Sequence, residues 1–192
     1  VIYPIVMGWQ WGGGWLAELG FSDFAGSTLV HSTGGAAALA GIILLGARNG
    51  RFDSAGNPKA LKPFAASSIP LVTIGVFILW LGWFGFNGGS QLALGTFDDA
   101  VAISTIFINT NLAACGGVLA AATITRLMYG KTDVIQMLNG AIGGLVAITA
   151  EPLAPSPFAA ILIGAIGGLI VVFGTKLLFS FKLDDVVGAI PA

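Results

Sequence analysis

Ala65-Ala-Ser-Ser-Ile-Pro-Leu-Val-Thr-Ile-Gly-Val-Phe-Ile-Leu-Trp-Leu-Gly-Trp-Phe-Gly-Phe-Asn-Gly-Gly-Ser90 runs without a single charged side chain. About 20 mostly apolar residues suffice for a helix to cross the hydrocarbon core of a bilayer, so residues 65–88 are expected to span a membrane. The same reading applies outward along the chain. Further full segments are expected near 24–46, 100–125, 134–150 and 158–180, with a partial one at 1–17 and another beginning near 186. Segment 134–150 is short and rich in glycine. The chain starts at Val1 inside an apolar stretch and is expected to be an internal piece of a longer protein. Its first stretch lacks a basic leader and holds Trp9, Gln10 and Trp11, which does not suit a signal peptide.

Composition agrees with that reading. Of 192 residues, 56% are hydrophobic and only 9% charged, and the mean hydropathy is +0.92. Soluble domains carry roughly 25% charged residues, so this chain has too few to cover a soluble globule. A net charge of −1 gives no basic field for nucleic acid. The single Cys115 excludes an internal disulfide framework and a cysteine-based zinc site. No second histidine, nucleophile elbow or phosphate-binding loop is present, because the run Gly12–Gly14 lacks the Lys-Ser/Thr of a P-loop. Neither an enzyme nor a cofactor is expected.

The charges orient the segments. All eight Lys and Arg (Arg48, Arg51, Lys59, Lys62, Arg126, Lys131, Lys176 and Lys182) fall in the loops 47–64, 126–133 and 176–185. Alternating spans put those three loops on one side, and the positive-inside rule makes that side the cytoplasm. Glu18, Asp23, Asp98, Asp99 and Glu151 fall on the opposite side. Small residues repeat at helical spacing in four places: Gly34/Ala38/Gly41, Gly82/Gly85/Gly89, Gly140/Gly143/Gly144 and Gly164/Gly167/Gly168. Such stripes let backbones approach closely, and tight packing of several helices is expected.

Few polar groups lie within the apolar segments. His31, the only histidine, sits about eight residues into the segment 24–46, roughly 12 Å below its outer end at 1.5 Å per residue. An imidazole at that depth is costly in lipid and points to function; the plainer reading is a histidine bonded to a neighbouring carbonyl or hydroxyl. A neutral ring donates at one nitrogen and accepts at the other, which suits relay of a small hydrogen-bonding solute or a proton. Asp23, after Ser22, reads as a helix cap and as a negative charge at the mouth of a path. Eight helical steps turn about 80°, so Asp23 and His31 are not expected to pair. Trp83, Phe86, Asn87 and Ser90 fall on one helix face. That mixture is poor for lipid contact and suits the wall of a narrow pore, although Trp80 and Trp83, like Trp9, Trp11 and Trp15, also read as an interfacial aromatic belt. The alternative reading of Trp11, which is followed by three glycines, is a ring face presented to a cation.

Asp23-Phe-Ala-Gly-Ser-Thr-Leu-Val-His31, Gly82-Trp-Phe-Gly-Phe-Asn-Gly-Gly-Ser90 and Asp184-Asp-Val-Val-Gly-Ala-Ile-Pro-Ala192 together resemble motifs of the ammonium transporter family, which includes methylammonium permeases and Rhesus proteins. The tryptophan-rich forms are closer to the ammonium transporters than to the Rhesus proteins. The resemblance covers residues 1–192, from late in the family's fourth helix to early in its tenth, as part of a single membrane domain. It implies an all-α polytopic fold of eleven helices in two pseudo-twofold related halves, assembled as a homotrimer with one pore per subunit. It also implies that Trp11 and Ser90 form an outer ammonium site, and that Phe86 is one of two stacked gate rings whose partner lies upstream of Val1. His31 would be the first of two pore histidines, with the second expected just after Ala192. Trp83 would line the pore beside it, and Asp23 would stand near the vestibule in a largely structural role.

The function so implied is passage of ammonium or ammonia, with methylammonium as analogue, across a plasma membrane (the inner membrane in a bacterium). The implied partners are the lipid bilayer, a homotrimer and a cytoplasmic regulatory protein. Two other readings stand beside it. One is an ammonium sensor, with the same membrane domain coupled to a cytoplasmic signalling domain. The other is a membrane-embedded structural subunit with no solute site.

Overall fold

Where the sequence is apolar and uninterrupted, the chain is helical. The computed structural model describes residues 1–53 and 64–192; Lys59 and Lys62, two of the eight basic residues, lie outside the described residues. The helices are α1 (Ile2–Gln10), α2 (Trp15–Glu18), α3 (Thr33–Leu45), α4 (Ile69–Gly89), α5 (Phe97–Tyr129), α6 (Val134–Ile148) and α7 (Pro157–Ser180), and a π-helical turn over Ser27–Ser32 runs directly into α3. Four of these are long and apolar enough to cross a membrane: Ser27–Leu45, Ile69–Gly89, Phe97–Tyr129 and Pro157–Ser180. Helix α6 has 15 residues, about 22 Å at 1.5 Å per residue, and is the short glycine-rich member that the sequence suggests.

Helix ends differ from the hydropathy bounds because caps are polar. Helix α5 begins three residues before 100, where Thr96 and Asp99 form a reciprocal capping box: the Thr96 hydroxyl accepts from the Asp99 N–H at 3.1 Å and the Asp99 carboxylate accepts from the Thr96 N–H at 3.0 Å. It runs on past 125 to Tyr129 and stops at Gly130, whose φ of 70° is the left-handed conformation that ends many helices. Ser68 caps α4, with Pro70 in its first turn.

Helices α5, α6 and α7 form the packed centre, and α4 leans on α5 and α6. Glycine makes the contact possible. A Cβ on Gly117 would fall on the Gly140 carbonyl oxygen, one on Gly164 on the Ala113 carbonyl, and one on Gly167 on the Gly143 carbonyl. Backbone therefore touches backbone along all three helices. Gly116 and Gly117 of α5 complete this contact and were not among the expected stripes. The stripes on α3 and α4 behave otherwise: Gly34, Gly41, Gly82, Gly85 and Gly89 have nothing within 4 Å of where a Cβ would stand. Their spacing matches that of the packed stripes, but no described helix lies against those faces.

Beyond the end of α3, Arg48 and Arg51 converge on Asp184, which follows α7. Arg48 Nε and Nη2 donate to the two Asp184 oxygens at 2.7 and 2.9 Å, and Arg51 Nε donates at 3.3 Å. The guanidinium of Arg51, 3% exposed, lies over Phe179 at 4.7 Å, with Phe64 at 5.4 Å and Phe52 at 5.8 Å. The hydrogen bonds from Arg48 hold the Asp184 carboxyl below the usual carboxylate range, and the same bonds raise Arg48.

Candidate functional site

Three aromatic side chains meet where the π-helical turn faces α4. The His31 ring stacks on the Trp83 indole with centroids 4.8 Å apart and planes 17° from parallel. Phe86 meets His31 edge-on at 5.4 Å and Trp83 at 6.0 Å. Trp83 is 8% exposed, whereas Phe86 is 39% exposed. One cluster thus joins three of the residues singled out in the sequence.

The turn that carries His31 is built by Asp23 and Gly26. Asp23 Oδ1 accepts the N–H groups of Gly26 and Ser27, each at 2.9 Å, and Oδ2 accepts those of Thr28 and Leu29 at 2.8 and 2.9 Å. These amides have no partner in a helical first turn, and one carboxylate satisfies all four. Gly26 has φ of 110°, and a Cβ there would run into Val30 and lie 3.1 Å from the tip of the Trp11 ring. Its carbonyl accepts from the backbone N–H of both Val30 and His31, the second being the five-residue spacing of a π turn.

His31 Nδ1 lies 3.0 Å from the Gly26 carbonyl oxygen. A carbonyl can only accept, so Nδ1 carries the hydrogen and donates. In the neutral ring Nε2 is then the acceptor. Asp23 makes no ion pair with His31, but not because of a helical offset: residues 23–26 are not helical, and the carboxylate is taken up by the four amides of the turn.

Trp11 is tied to the same turn: its Nε1–H donates to the Asp23 carbonyl at 2.8 Å. This fixes the indole by its edge, and Trp11 remains 39% exposed. Ser90 caps the far end of α4, and its hydroxyl donates to the Phe86 carbonyl at 2.8 Å. That bond uses the hydrogen and leaves the oxygen lone pairs free to accept. No hydrogen bond joins Trp11 to Ser90. Among the described residues, no group of three His, Cys, Asp or Glu side chains gathers to hold a metal.

The chain matches the Ammonium Transporter Family profile over residues 1–192. The chain belongs to the Ammonium Transporter Family. It is 47% identical to ammonium transporter Amt2 of Archaeoglobus fulgidus, over all of this chain and 42% of that protein. It is 37% identical to ammonium transporter 1 member 1 of Arabidopsis thaliana, over 98% of this chain and 40% of that one. Among solved structures, the Sensor Amt Protein superposes with a TM-score of 0.92 at 37% identity, covering all of this chain and 47% of that one. Mep2 of Candida albicans gives 0.86 at 33%, covering all of this chain and 40% of that one. The chain therefore spans less than half the length of these relatives. The family is one of transporters rather than enzymes, and this member is a multi-pass helical membrane protein.

The ammonium transporter fold also places at the cluster two residues that sequence reasoning missed, Thr149 and Thr110, joined through Asn87. Thr149, at the end of α6, accepts the Trp83 Nε1–H on its hydroxyl oxygen at 2.8 Å. Asn87 donates from Nδ2 to the Thr110 hydroxyl at 3.0 Å, and its Oδ1 lies 3.2 Å from the Thr149 hydroxyl. Thr149, Asn87 and Thr110 are fully buried. Asn87 thus turns away from Phe86 and Ser90, with which it was grouped on one helix face, and into the packed helices. Only the buried amide inside an apolar segment hinted at this network, since Thr149 and Thr110 carry no pattern that marks them.

Proposed function

We propose that the complete protein carries ammonium or ammonia across the membrane along a path that passes His31. The observation that carries this reading is the His31 ring itself. Its Nδ1 is committed to Gly26, it is flanked by Trp83 and Phe86, and its Nε2 is the acceptor in the neutral form. A neutral acceptor framed by aromatic rings receives a hydrogen bond from ammonia without a charge to hold a cation. Stripping water from a cation in an apolar passage is expensive, so ammonium loses its proton before or within it.

The outer site of this reading is Trp11 and Ser90. The indole face attracts a cation, and the Ser90 oxygen, its hydrogen already given to Phe86, accepts from an ammonium N–H. Phe86 acts as a gate ring, and Asp23 holds the turn. Residues 1–192 form part of one membrane domain of a homotrimer in the plasma membrane, with the loops at 47–64, 126–133 and 176–185 in the cytoplasm and within reach of a regulatory protein.

The test is methylammonium flux per reconstituted trimer of the full-length protein. His31→Ala is expected to abolish relay or to admit larger or charged species while the trimer still assembles. Wild-type flux and selectivity in that variant remove His31 from the mechanism.

A second reading is favoured by the likeness to the Sensor Amt Protein: an ammonium sensor with the same membrane domain. A signalling domain in the complete chain, with ligand binding but no flux, decides for it.

A further inference from the structure

We infer that Thr149 is a positioning residue that locks the Trp83 indole against His31, and so sets the spacing of the rings along the path; this rests on the pore reading above. A tryptophan N–H can only donate, and a buried indole needs an acceptor. Trp83 finds it in the Thr149 hydroxyl at 2.8 Å, between two buried residues. The same residue acts on the other ring through its backbone. The Thr149 carbonyl accepts the Ala25 N–H at 3.1 Å, and the next carbonyl, that of Ala150, accepts the Phe24 N–H at 2.8 Å. Those two amides hold the bend between Asp23 and Gly26, and Gly26 in turn holds His31 Nδ1. Thr149 thus grips α4 with its side chain and the His31 turn with its main chain.

The hydroxyl is itself oriented. Its single hydrogen has two acceptors in reach, the Leu145 carbonyl at 2.6 Å and Asn87 Oδ1 at 3.2 Å. Either leaves an oxygen lone pair aimed at the indole. Asn87 is braced by Thr110 on α5, so the indole is referred to three helices at once. Removing the hydroxyl while keeping the shape leaves a buried donor unpaired, and the indole must turn or move to relieve it.

The experiment uses the full-length protein in liposomes. Thr149→Val keeps bulk and branching without the hydroxyl, and Thr149→Ser keeps the hydroxyl without the methyl. Thr149→Val is expected to lower methylammonium flux per folded transporter by about tenfold or more, the size of one lost buried hydrogen bond, and Thr149→Ser to restore most of it. A second readout is the hydrogen-bond-sensitive indole Raman band of Trp83, isolated by subtracting the Trp83→Phe counterpart of each variant. It should shift toward the unbonded position in Thr149→Val and not in Thr149→Ser; if the valine variant does not fold, Thr149→Ala takes its place. An unmoved band, or flux that falls equally with serine and valine, overturns the inference. If His31→Ala abolishes flux and Thr149→Val leaves it intact, the positioning role fails alone. If His31→Ala is also silent, the pore reading fails with it.

Discussion

Trp11 shows how one bond divides the uses of a side chain. Its N–H is spent on the Asp23 carbonyl, so what remains for a solute is the π face. Trp11→Leu keeps apolar bulk and removes that face. An exposed to partly desolvated cation–π contact is worth roughly 0.5–2 kcal/mol. In the complete protein the apparent affinity for ammonium should therefore fall by roughly 2- to 30-fold, with weaker discrimination against potassium. Trp11→Phe, which keeps a ring but not the N–H, should fall between. Competition uptake assays read both, and an unchanged affinity and selectivity in the leucine variant would falsify the outer site. His31 and Asp23 were legible because ionisable groups within apolar segments are few, and Trp83 because it shares a helix face with Phe86, Asn87 and Ser90. Thr149 was not: threonine at the end of a glycine-rich helix is ordinary, and its partner Trp83 lies 66 positions away, a pairing no local pattern encodes.

At the scale of the element, apolar length located the spans, and polar end groups set their bounds. Thr96, Asp98 and Asp99 dilute the hydropathy of the stretch that caps α5, so the apolar pattern starts late. At the start of the segment 24–46 the mismatch runs the other way, the apolar pattern beginning before the helix. Phe24 and Ala25 are apolar, yet their amides bond the carbonyls of Ala150 and Thr149 rather than a helix. Glycine stripes were visible, but which of them meet a partner was not, since the partner decides it. Gly164→Ala tests the packed set. Its Cβ would meet the Ala113 backbone, which cannot rotate aside, and overpacking of this kind costs typically 1–3 kcal/mol. The unfolding midpoint of the complete protein in detergent should drop accordingly; an unchanged midpoint would show that α5 and α7 are not in backbone contact.

At the scale of the whole molecule, two features tie distant parts together. The first is topology. Once Cys115 is replaced, cysteines at Thr96 and Lys131 report on opposite faces. The positive-inside arrangement predicts that an impermeant reagent labels the Thr96 site in intact cells and the Lys131 site only after permeabilisation; the reverse pattern would invert the proposed orientation. The second is Asp184, which joins the chain after α3 to the chain after α7. Its folded carboxyl lies below the ordinary value of about 3.9, so the stability it contributes is complete above that value and is lost as pH falls through the lower folded one. Unfolding midpoints of the native protein and Asp184→Asn should therefore differ at neutral pH and converge in acid. A difference that persists unchanged at pH 3 would show that the carboxylate charge is not what holds the two segments.

The carboxylate of Asp23 accepts four amide hydrogens, two on each oxygen, and is 3% exposed. It has no lone pair left for direct coordination, so it is not able to replace the water around an arriving cation. Its attraction acts at a distance, through the protein, and a charge so buried is screened by dissolved ions much less than an exposed one. Any part of ammonium capture that depends on Asp23 should therefore persist largely unchanged as salt rises, as the part owed to direct contact with the indole face does.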